Sequence, residues 1–172
     1  MDRKAAFIVS AIEHATRHMR IDATHHVAPP LDPKKPWGPH CSHLFRETMR
    51  QLASAGVSVP DPYVDEDADA NTLGQRIRQY KKDWTKLETS LTEAQTLANE
   101  GALVVGSYIN KPGHLGFIYP IDVQGRKPVV RDGNVHKDER TGEIWAASTY
   151  GAVPASRAFP LSKTQWFKYR HY

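Results

Sequence analysis

The one cysteine of this chain, Cys41, stands in the string Gly38-Pro39-His40-Cys41-Ser42-His43-Leu44-Phe45, where a helix is set to begin. Downstream, Gly113-His114-Leu115-Gly116-Phe117-Ile118 places a histidine at the head of an apolar strand. A thiol at a helix N-terminus and an imidazole on a strand are the minimum equipment of a cysteine hydrolase. The thiolate is the attacking species, and both a helix N-terminus and a nearby imidazole favour it. His114 would accept the thiol proton and later deliver a proton to the departing amine. The backbone N–H of Cys41, with a donor from Trp37–His40, would hold the oxyanion. A third polar group should keep the imidazole in the useful tautomer. Asp132 is the first choice, because an anionic acceptor best supports an imidazolium; Ser148 and His136 are the alternatives. Most lone cysteines are inert and buried, but the proline, glycine and histidine before Cys41 and the amphipathic run after it favour a functional thiol.

The elements that must position these groups follow from periodicity. Residues Lys4–Arg20 read as an amphipathic helix, with Ala5, Ile8, Ile12, Ala15 and Met19 on one face. Ile21–His40, with Pro29, Pro30, Pro33 and Pro36, reads as a loop. A second helix should run from Cys41 or Ser42 to Ala55, burying Leu44, Phe45, Met49 and Leu52 and stopping at Gly56. Val57–Asn71 reads as a connector. Thr72–Tyr80 reads as a third helix capped by Asn71, with Leu73, Ile77 and Tyr80 inward. Leu87–Asn99 reads as a fourth helix. The period then changes: Ala102–Ile109 and His114–Ile121 form a hairpin about the turn Asn110–Gly113. Further strands are expected at Pro128–Arg131, Glu143–Thr149 and Trp166–Arg170, with Asp132–Gly142 a polar turn region. Helices first and strands afterwards predict an α+β domain with helices packed on an antiparallel sheet, one domain spanning residues 1–172.

Cys-Ser at a helix start, Trp84 before a helix, an Ala-rich helix leading through Gly101 to Val104-Val105, and Gly113-His114 heading an apolar strand occur here in an order that resembles the papain-like peptidoglycan amidases, of which the NlpC/P60 and CHAP peptidases are members. The tract Ala94–Val105 followed by Gly113–Ile118 is similar to small cell-wall amidase effectors delivered between bacteria, commonly by type VI secretion. The resemblance covers roughly Lys4–Thr149, with Cys41 and His114 separated by 73 residues. His40 stands where NlpC/P60 members often carry Asp. The resemblance implies a papain-like fold and hydrolysis of a peptide or isopeptide bond in cell-wall stem peptides. It implies no cofactor and no catalytic metal, and a cognate immunity protein as partner. A phage lysin would share the chemistry, and an acyltransferase would share the thiol.

The totals fit this reading without requiring it. Hydrophobic content of 40% and charged content of 24% describe an ordinary globular protein. Glu13 and His14 interrupt the N-terminal apolar run before a signal-peptide core is reached, so action in a target cell's periplasm would need a dedicated export route. No run approaches the ~18 apolar residues of a membrane span. A net charge of +4 and a pI near 9.2 suit an anionic partner, either wall polymer or nucleic acid. A non-enzymatic basic binding module is therefore the rival class. Its best feature is Arg76–Trp84, although basic residues at a helix C-terminus explain that run with less. His14 and His18 lie four apart, and His40, Cys41 and His43 cluster, but neither set completes a zinc site. Asp65, Asp67, Asp69 and Asn71 mimic a calcium loop without its glycine or closing glutamate. Trp37, Trp84, Trp145 and Trp166 are groove candidates, Trp37 foremost.

Overall fold

The computed structural model describes residues 1–25, 41–111, 113–121, 127–133, 136–137, 144–145 and 152–172, with the backbone alone at 18–25, 136–137 and 144–145. Helix α1 runs Arg3–His25. It passes the expected end at Arg20 because Ile21–His25 holds neither proline nor glycine to stop it. Asp2 begins it, its carboxylate accepting from the Lys4 N–H at 2.8 Å. Ala5, Ile8, Ala11, Ile12 and Ala15 line its buried face.

Helix α2, Cys41–Ser54, buries Cys41, Leu44, Phe45, Thr48, Met49 and Leu52. It ends in a Schellman arrangement: the Gly56 N–H reaches Ala53 O at 2.9 Å and the Val57 N–H reaches Leu52 O at 3.0 Å. Gly56 sits at φ 87°, the left-handed backbone that closure demands. The expected connector beyond it is built structure. A 3₁₀ turn at Asp61–Tyr63 drives Tyr63 fully into the core. Helix α3 spans Ala70–Gln79, and Asp69, not Asn71, is its cap, accepting from the Thr72 N–H at 2.7 Å. Tyr80 falls just outside the helix and is 38% exposed rather than inward.

The helix expected from Leu87 starts four residues later, and an unexpected strand precedes it. Trp84–Leu87 is strand β1. Helix α4, Leu91–Asn99, starts only at the capping box in which Ser90 and Glu93 satisfy each other's backbone N–H groups. Strands β2 (Val104–Tyr108) and β3 (His114–Ile118) form the expected hairpin, in register Val105 with Phe117 and Tyr108 with His114. Strand β4 is Val129–Arg131. His136–Lys137 (β5), within the expected polar turn, pairs with Ile144–Trp145 (β6), the described part of the strand expected at 143–149, as a separate two-stranded ribbon. Val153–Pro154 (β7) leads into a one-turn helix, Ala155–Ala158 (α5), and Gln165–Tyr169 is β8.

The protein is thus α+β, with a six-stranded sheet ordered β1-β8-β2-β3-β4-β7 in which all pairings are antiparallel. Strand β8 inserts between β1 and β2, so the last strand in sequence is interior. Alternation sends Leu103, Val105, Leu115, Phe117, Phe167 and Tyr169 into one cluster with α1, α2 and α3. Val104, Ile118, Val130 and Trp166 enter the opposite cluster with α4 and Phe159. At the centre of the first, the Phe45 and Phe117 rings stack 5.6 Å apart and nearly parallel. That contact seats α2 on β3, the two elements that carry Cys41 and His114.

Candidate active site

Cys41 is the first residue of α2, where the opening backbone N–H groups have no partner within the helix. His114 is the first residue of β3 and Asp132 follows the last residue of β4. Since β3 and β4 are paired, with Phe117 opposite Arg131, Asp132 and His114 come together at one end of the sheet. Gly133, at φ 69°, turns the chain directly after Asp132.

The geometry joins all three sequence-derived candidates. His114 Nε2 lies 3.2 Å from Asp132 Oδ2. The Cys41 side chain also hydrogen-bonds this imidazole and favours its protonated form. Residues 41, 114 and 132 are 1%, 7% and 3% exposed. Burial alone pushes the His114 pKa down. The Asp132 hydrogen bond and then the Cys41 side chain outweigh it, and the imidazole is raised to about 9. Burial also means that a substrate carbonyl reaches the sulfur only after the atoms around it give way.

Two further devices fix His114, and neither was expected from the sequence. Asn71 is freed from capping and clamps the hairpin turn. Its Nδ2 donates to Asn110 O at 2.7 Å and its Oδ1 accepts from the Asn110 N–H at 3.2 Å. A Cβ on Gly113 would sit 2.0 Å from that Oδ1, so the residue before His114 must be glycine for the clamp to close. On the other side of Asp132, Arg131 is ion-paired to Glu13 of α1 at 2.9 Å. Tyr119 donates to the same carboxylate at 2.9 Å, and burial with that contact raises the phenol to about 12. The tie secures the end of β4 to α1. A glutamate on a helix and an arginine 118 residues later give no local sequence signal.

The other candidates fare differently. Ser148, Trp37 and His40 lie outside the described residues, and the His136, Trp145 and His18 side chains are not described. Trp84 is 2% exposed and belongs to the core, whereas Trp166, in the second core cluster, also lines an open pocket with Lys86, Glu88 and Gln165. Among the described residues no group of three His, Cys, Asp or Glu side chains is placed to hold a metal. The acidic alternation is engaged elsewhere: Asp65 pairs with Arg76 at 2.8 Å and Asp69 caps α3. The arginines of the basic run are likewise drawn inward, Arg76 donating to Pro62 O and Arg78 to Ser107 O, while Lys81 and Lys82 stay exposed. No described helix is long and apolar enough to cross a membrane. Compared with known proteins, the chain matches no protein-family model and no curated protein.

Proposed function

We propose that this protein is a cysteine hydrolase of papain-like, NlpC/P60 or CHAP type that cuts a peptide or isopeptide bond in peptidoglycan stem peptides. One observation carries the chemistry. The thiol of Cys41 at a helix start contacts the His114 imidazole, whose Nε2 is held by Asp132. The thiolate attacks the carbonyl carbon, forming a C–S bond as the carbonyl electron pair moves to oxygen. The Cys41 N–H at the head of α2 is the first oxyanion donor. Collapse breaks the C–N bond, and the imidazolium gives its proton to the leaving amine. Neutral His114 then takes a proton from water, the hydroxide attacks the thioester, and the carboxylate product leaves with the thiol restored. Asp132 holds the tautomer and offsets the imidazolium charge without itself taking the proton.

The substrate class rests on the resemblance of the Cys41, Ala94–Val105 and His114 contexts to the cell-wall amidases. The net charge of +4 suits an anionic wall polymer. The same reading makes the protein an interbacterial toxin with a cognate immunity protein. Mass spectrometry of muropeptides incubated with the parent chain and with Cys41→Ala tests it. The parent should release cleaved stems, and Cys41→Ala should release none while keeping its circular dichroism and melting temperature. Equal cleavage by both would end the proposal.

A further inference from the structure

Phe159, in the link between α5 and β8, lies against the candidate base. Its ring centroid is 4.6 Å from that of His114, the planes tilted by 44°. The ring is 3% exposed and is braced from behind by Trp166, edge-on at 5.4 Å. Beneath both rings the sheet is bare. Gly106 and Gly116 are register partners on β2 and β3, and Gly106 also faces Trp166 across to β8. A Cβ at Gly116 would stand 3.1 Å from Phe159 Cε2 and Cζ and 3.2 Å from Arg131 O, and one at Gly106 would stand 2.5 Å from Trp166 Cζ3. Neither glycine has the left-handed backbone found at positions 56, 101 and 133. What they supply is space. The paired absence of side chains lets two aromatic rings lie on the sheet, and the first of them ends against His114, two residues from Gly116 and on the same side of β3.

From this we infer that Phe159 is a positioning residue for the His114 imidazole. Its ring, set by the glycine pair and Trp166, fixes the tilt at which Nε2 meets Asp132, and it excludes water from that hydrogen bond. A side chain chosen only to fill the second core would not need two cleared positions in register to bring its ring against a polar group. An aromatic face is suited to a cationic imidazole, since the ring's negative face attracts positive charge while its bulk keeps the bond dry. The inference rests on the Cys–His reading for its catalytic meaning, but its geometric content can be measured without turnover.

The experiment follows the His114 ring proton by NMR in the full chain, alongside hydrolysis. In the parent, the proton on Nε2 should give a downfield resonance protected from exchange with water. Phe159→Leu keeps an apolar side chain but removes the plate. Gly106→Ala keeps the plate and displaces Trp166, the ring that braces it. Both should broaden or abolish the protected resonance, and both should lower kcat on muropeptides by roughly 10–100-fold, the order expected for a misplaced catalytic group, with KM little changed. If Phe159→Leu does not fold, Gly106→Ala carries the same reading. A protected resonance retained in a folded variant, or absent from the parent, overturns the assignment. If the resonance responds as stated but the parent cleaves no muropeptide, the positioning role stands and the hydrolase reading falls.

Discussion

Asp132→Asn isolates the electrostatics of the site from any question of substrate. In the folded chain the His114 pKa lies at about 9 against an ordinary 6.5. At ~1.4 kcal/mol per tenfold in proton affinity, that makes the protonated imidazole worth about 3 kcal/mol to the fold. Because the folded value is the higher one, the contribution is complete below pH 6.5 and disappears as the pH rises through about 9. The Asp132 hydrogen bond is the largest favourable cause. An asparagine of the same shape keeps an acceptor and removes the charge, while the burial that opposes protonation remains. The variant should therefore lose about 2 kcal/mol at pH 6 and less than about 1 kcal/mol at pH 10, where the imidazole is neutral in both chains. Urea unfolding of parent and variant at intervals from pH 6 to pH 10 measures this, provided the slope m is the same for both. Two stability curves that run parallel over that range would refute the reasoning, since the loss would then have nothing to do with His114 protonation.

Two further perturbations probe the supports of the site. Glu13→Ala removes the carboxylate shared by Arg131 and Tyr119. Glu13 is 29% exposed, so thermal unfolding should show a loss of about 2 kcal/mol, below the ~3–5 kcal/mol of a fully buried pair. Gly113→Ala would press a methyl group into the Asn71 amide. It should cost about 1–3 kcal/mol and speed amide exchange in 110–114, whereas unchanged exchange there would show that Asn71 does not hold the turn.

How much of this was legible in the sequence depended on how local each signal was. The helix at Cys41–Ser54, its end at Gly56 and the hairpin into His114 were readable because apolar spacing and a glycine stop are contained within a few residues. The cap of α3 was missed by two positions because Asp69 and Asn71 are both good caps, and only the fold shows that Asn71 is needed at Asn110. Strand β1 went unassigned, with only Leu87 drawn into the following helix, because Trp84–Leu87 is four residues long and its partner, β8, is the last strand of the chain. For the same reason β8 could be expected as a strand but not placed within the sheet. Asp132 was reachable by chemical argument, as an anion beside a strand end. Phe159 carries no polar atom and was invisible to a search for reactive groups, although Gly106 and Gly116 facing each other across a hairpin were a signal that something flat must lie above them.

The molecule contains a second histidine–aspartate contact, and the comparison shows what a contact of this kind does and does not imply. His171 Nε2 lies 2.9 Å from Asp83 Oδ1, closer than the 3.2 Å at the candidate site. Asp83 is buried and also accepts from Tyr63 at 3.1 Å, and its backbone oxygen takes the Arg170 N–H at 2.8 Å. Those contacts tie the end of β8 to the start of β1. Burial and Asp83 together push the Tyr63 phenol well above its ordinary range, which keeps it a neutral donor. The His171 side chain is 36% exposed, and the contacts around Asp83 come from a phenol, a backbone amide and that imidazole, with no thiol among them. A carboxylate and an imidazole in hydrogen-bond range are therefore not in themselves a site. What separates the His114 pair is a nucleophilic thiol on the same imidazole and the withdrawal of that ring from water, a combination whose desolvation cost a purely structural tie would avoid by keeping its imidazole at the surface, as His171 does.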